Sequence, residues 1–118
     1  MKKLILATLL IPGAVLAAGD PAQGEKAFSA CAACHSTANG ANGLGPSLFG
    51  VVGRKAGSVP GFNYSRAMKD SNRTWSAQNL DAYLADPQKA MPGNHMPYSG
   101  LPDAQLRADL VAYLASLH

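Results

Sequence analysis

The chain has 118 residues, with ten Lys or Arg against seven Asp or Glu, a formal net charge of +3 and two cysteines. That length allows one small domain. So mild a charge balance, with no basic stripe, argues against a nucleic-acid binder.

The first eighteen residues read as an export leader. Lys2 and Lys3 form a basic start, Leu4 to Leu10 an apolar core, and Pro12 with Gly13 breaks it before the small stretch Ala14, Val15, Leu16, Ala17, Ala18. The pattern predicts a cleaved secretory signal over 1–18 and a mature domain over 19–118. Its apolar core is too short to cross a bilayer, and no Cys follows to take a lipid. Loss of Lys2 and Lys3 leaves eight basic side chains against seven acidic ones.

Asp20, Pro21 and Gln23 predict a helix start, with Asp as the cap, Pro in the first turn and Gln reaching back, and the helix runs to about Cys31. Gly24 lies inside it on the same face as Phe28. A glycine there costs helix stability, which points to another backbone passing close by.

Cys31, Ala32, Ala33, Cys34 and His35 then make one CxxCH. Two thiols three residues apart reach the two vinyl groups of one porphyrin edge, and the next side chain faces the iron, so the motif predicts a covalent c-type haem with His35 as proximal ligand. A redox CxxC would need a βαβ pattern, and a zinc site a second ligand pair; neither is present. A disulfide between such neighbours closes almost no loop.

Farther on, residues 36–63 and 88–102 are rich in Gly, Pro, Asn and Ser and show no strand alternation, so they are expected to be long loops. A short helical turn is predicted over residues 65–69. Ser76 caps a helix whose Leu80, Tyr83 and Leu84 share a face, and Pro87 stops it. Asp103 to about Leu117 is the last helix, with Leu106, Leu110, Tyr113, Leu114 and Leu117 as its apolar stripe. This helix is the partner expected at Gly24. The fold class is all-α, with long loops around a flat cofactor.

A haem iron held by His35 leaves its opposite face to be filled. Met68, Met91, His95, Met96 and His118 are the available side chains, and spacing alone does not choose among Met91, His95 and Met96 in the stiff loop from Met91 to Pro97.

Several motifs in fixed order carry a resemblance: GDPAQGEKAF before CAACH, GPSLFGVVGRKAGSVPGFNYS after it, then Trp75, LDAYLADP, MPGNHM and ADLVAYL. The chain resembles a monohaem class I cytochrome c of the mitochondrial-like branch over nearly its whole mature length. The resemblance implies the cytochrome c fold, with terminal helices crossing, and Met96 as the distal ligand. It implies that the Pro46 carbonyl accepts a hydrogen bond from His35, that Arg54, Tyr64 and Trp75 meet the haem propionates, and that Tyr83 lies near the Met sulfur. His and Met ligation raises the potential and leaves no open site.

The function so implied is one-electron exchange by a soluble periplasmic monomer that is not an enzyme. Its donor is a quinol-oxidising complex or periplasmic dehydrogenase and its acceptor a terminal oxidase or reductase. Alternatives are a haem subunit docked on a larger enzyme, with Val51, Val52, Tyr98 and Leu101 as its patch, or a haem sensor or peroxidase, which needs a vacant sixth site. Departures from the pattern are equally specific. Ala30, Gln88, Pro102 and Asp103 stand where mitochondrial proteins carry basic residues, leaving Lys89, so docking through a strongly basic face is not expected. Met68 and Asn94 stand where Asn and Thr are usual, and the loop between His35 and Pro46 is one residue shorter.

Overall fold

The computed structural model describes residues 2–5, 7 and 18–118, so most of the predicted leader lies outside the described residues. Five helices follow: α1 (Pro21–Ala27), α2 (Arg66–Lys69), α3 (Ala77–Ala85), α4 (Pro87–Ala90) and α5 (Ala104–Ala115). Among the described residues the only β pairing is the isolated bridge between Lys55 and Thr74.

Local chemistry sets the helix starts. Asp20, Ser65, Ser76, Asp86 and Asp103 each cap the helix that follows by accepting a backbone N–H through the side chain. The predicted return bond from Gln23 is replaced by a tertiary one: the Asp20 N–H donates to Asp109 Oδ1 on α5 at 2.8 Å. The first helix is also shorter than the sequence suggests. After Ala27 it tightens into a 3-10 turn, Phe28–Ala30, and Cys31 N–H reaches Phe28 O at 2.8 Å. This winding buries Phe28 and carries the chain directly into the CxxCH segment.

A second difference follows Pro87. Asp86 and Pro87 end α3 but open α4, with Lys89 N–H donating to Asp86 Oδ1 at 3.2 Å, where the sequence reading has only loop. The pair repeats the Asp20 and Pro21 arrangement, so the signal was present.

The terminal helices cross at Gly24. A Cβ built there would fall on the Asp109 carbonyl, so the two backbones touch only because the position is glycine. Phe28 and Tyr113 pack beside the crossing with ring centroids 5.4 Å apart. Leu110 and Leu114 of the predicted stripe are buried with Val111, while Leu106, Tyr113 and Leu117 are half-buried. Arg107 fastens α5 to α3 through Asp81 at 2.9 Å and to the preceding loop through the Leu101 and Pro102 carbonyls. On the remaining side, α3 presents Leu80, Tyr83 and Leu84 to the interior, and Trp75 packs against Tyr83 with the rings tilted and their centroids 4.9 Å apart.

Candidate haem site

The helices and loops enclose a cavity of about 520 Å³. Its wall is mostly apolar, from Phe28, Leu48, Val51, Leu80, Leu84, Leu110 and Leu114 among others. The cavity also collects Cys31, Cys34, His35, Pro46, Arg54, Tyr64, Trp75, Tyr83 and Met96, which are all the site residues named from the sequence.

The Cys-to-His segment is a continuous set of turns. Cys34 N–H and His35 N–H both bond to Cys31 O, at 3.1 and 3.0 Å. This winding puts both cysteines and the histidine on one wall. The two thiols are free, and burial, with a smaller contribution from Cys34, raises Cys31 above the ordinary thiol range.

His35 is oriented from the opposite strand of the loop. Its Nδ1 lies 2.7 Å from Pro46 O. A carbonyl only accepts, so Nδ1 carries the proton and Nε2 keeps its lone pair for a metal. Gly45 makes this possible. A Cβ at that position would stand 2.7 Å from Nδ1 and 2.8 Å from Nε2, inside the ring's own space. Gly45 N–H also bonds Cys34 O at 2.8 Å, tying the loop to the motif. The sequence reading missed this glycine, although its place directly before Pro46 was a signal.

Arg54 supplies the polar end. One terminal nitrogen donates to Ser47 O and Phe49 O at 3.0 Å each, and its Nε is buried without a partner among the described residues. Burial lowers the guanidinium pKa, partly offset by Tyr64, but an arginine remains cationic at neutral pH. Tyr64 Oη accepts the Val59 N–H at 3.0 Å and still has its own proton to donate. An orphaned cationic donor beside a free hydroxyl fits an anionic group entering an otherwise apolar cavity. Haem c matches this set: apolar faces, two thiols at one edge, an imidazole nitrogen for iron and propionates for Arg54 and Tyr64.

The methionines divide by position. Met96 and Met68 line the cavity, whereas Met91 is 3 % exposed in the core and is absent from the lining. His95 is exposed on the rim, and His118 sits on its own helix end with Nδ1 3.1 Å from Ala115 O. Tyr83 is buried, and desolvation pushes its hydroxyl up to about 12, so it stays neutral. The apolar patch drawn from the sequence needs one correction. Val51 is 2 % exposed and belongs to the core; the exposed apolar side chain at the cavity is Leu44, 84 % exposed.

Comparison with known proteins agrees with this chemistry. The cytochrome c family model matches residues 21–118. Cytochrome c2 of Rhodomicrobium vannielii is 47 % identical over 116 residues, covering 98 % of this chain and 93 % of that protein. Cytochrome c-550 of Ancylobacter novellus is 45 % identical over 102 residues, 83 % of this chain and 95 % of that one. Among solved structures, cytochrome cH from Methylobacterium extorquens has a TM-score of 0.78 at 47 % identity, covering 81 % of this chain and 97 % of that chain. The chain belongs to the cytochrome c family, a monohaem class I member that binds haem c covalently and carries electrons.

Proposed function

We propose that this cytochrome is exported, loses residues 1–18 and moves single electrons in the periplasm from a quinol-oxidising complex or dehydrogenase to a terminal oxidase or reductase. Export is supported by the basic, apolar and small-residue order of the leader. No helix among the described residues is long and apolar enough to cross a membrane. The observation that carries the reading is the meeting of Cys31, Cys34, His35 and Met96 on one apolar cavity.

In this reading Cys31 and Cys34 would hold the haem by thioether bonds, and His35 and Met96 would hold the iron. When bound, the haem supplies reversible exchange between Fe(III) and Fe(II). Pro46 fixes the His35 tautomer, Gly45 leaves room for the ring, and the aliphatic wall excludes water. Arg54, Tyr64 and Trp75 would take the propionates, and Tyr83, neutral and buried, lines the same cavity as Met96. With His35 and Met96 both placed to hold the iron, no position would be left there for a substrate, which suits electron transfer rather than sensing or peroxide chemistry.

Carbon monoxide tests the choice between these classes. The reduced wild type is expected to resist it and Met96→Ala to take it up; ready binding by the wild type would support a sensor or peroxidase instead.

A further inference from the structure

Asn94 lies two residues before Met96, in a segment that sequence patterns describe only as stiff loop. It is 5 % exposed, and all of its amide is in use. Nδ2 donates to Pro87 O and to Met91 O, each at 2.9 Å, and Oδ1 accepts the Met96 N–H at 2.9 Å. Two carbonyls on one side and an N–H on the other admit only this orientation of the amide. The backbone adds two more bonds: Asn94 N–H to Met91 O at 3.2 Å, and Gln88 Nε2 to Asn94 O at 2.9 Å.

The partners at the far end are fixed. Pro87 and Met91 are both buried at the two ends of α4. Between them and the cavity, Pro92, Gly93 and His95 are exposed, Gly93 has φ +88, and Met96 is half-buried against the edge of the core. The Met96 N–H is therefore tied to the buried ends of α4 through the Asn94 side chain, with Gln88 holding the Asn94 carbonyl beside it. A carboxylate at this position would lose both donors and face two carbonyls, and a serine or threonine hydroxyl cannot supply two donors.

We propose that Asn94 is the positioning residue that holds Met96 in the haem cavity and sets how often it leaves. The proposal rests on the reading of Met96 as distal ligand. Without the amide, the Met91 to Pro97 segment opens more often, and a competing nitrogen ligand reaches the iron more quickly.

The test uses ferric holoprotein and free imidazole, followed by stopped-flow absorbance in wild type, Asn94→Ala, Asn94→Asp, Val111→Ala and Met96→Ala. Asn94→Asp keeps the shape and the acceptor while losing both donors, and a wild-type Soret spectrum of each holoprotein shows that the variant has folded around its haem. Val111 is buried near the helix crossing and lies off the cavity, so its truncation lowers global stability without touching the segment. Both Asn94 variants are expected to bind imidazole faster, by roughly tenfold or more for the loss of two to three hydrogen bonds. Val111→Ala is expected to stay near the wild-type rate. Wild-type rates in both Asn94 variants overturn the proposal, as does an equal acceleration in Val111→Ala. If Met96→Ala keeps the sulfur-to-iron absorption band, the ligand assignment fails, and that failure is distinct from the failure of Asn94 to act.

Discussion

Gly24→Ala sets two effects of opposite sign against each other. In an exposed helix the change stabilises by roughly 1 kcal/mol, because alanine has the higher helix propensity. Here the added methyl would fall on the Asp109 carbonyl and meet Tyr113 Cβ at 2.8 Å. Neither atom is the free end of a flexible side chain, so α1 and α5 must separate. Separation also strains the bond from Asp20 N–H to Asp109 Oδ1 and the contact between Phe28 and Tyr113. Overpacking of this kind costs roughly 1–3 kcal/mol or more, and a lost hydrogen bond adds about 1 kcal/mol. The net expectation is a destabilisation of about 2 kcal/mol, which for a domain near a hundred residues lowers Tm by roughly 8–16 °C. Urea and thermal unfolding of the holoprotein, followed by circular dichroism, measure it. A variant as stable as wild type, or more stable, would refute the claim that the two backbones touch at this residue.

Gly45→Ala is expected to displace the His35 ring and to lower haem incorporation on expression; normal incorporation and an unchanged Soret spectrum would show that the loop yields instead. For Tyr83, burial raises the folded pKa from 10.0 to about 12, so the folded state binds the proton more tightly than the unfolded chain. That contribution is fully present below pH 10 and is lost as pH rises toward 12, amounting to about 1 kcal/mol at pH 11. Urea midpoints at pH 9 and 11 should fall further in wild type than in Tyr83→Phe. Electron-transfer rates with the physiological partner should decline only weakly with salt, because eight basic residues against seven acidic ones over residues 19–118 offer little long-range attraction to screen. A steep decline over a stopped-flow salt series would reveal a concentrated basic face.

What could be read from the sequence was the chemistry that repeats locally. Asp20 with Pro21 and Ser76 marked their helices because each cap is made within three residues. The glycine inside α1 announced a close crossing because its local cost has no local return. Tertiary partners were beyond reach: no pattern says that Asp109 replaces Gln23 at the first helix start, or that the ring of His35 needs the space above Gly45. The 3-10 ending of α1 is a tertiary effect of the same kind, since it follows from burying Phe28. Asn94 stood out only as an unusual residue type. Its role depends on Pro87, Met91 and Met96, three backbone positions whose meeting the sequence does not record. The site residues themselves came from the CxxCH spacing and the family resemblance, not from periodicity; the apolar wall that surrounds them came from helical stripes.

The most direct test of the central claim is the sulfur-to-iron absorption band of the oxidised holoprotein, compared in wild type, Met96→Ala and Met91→Ala. Met96 lines the cavity while Met91 is sealed in the core. The account predicts a band in wild type and Met91→Ala and none in Met96→Ala; a band that survives loss of Met96, or disappears with loss of Met91, contradicts it.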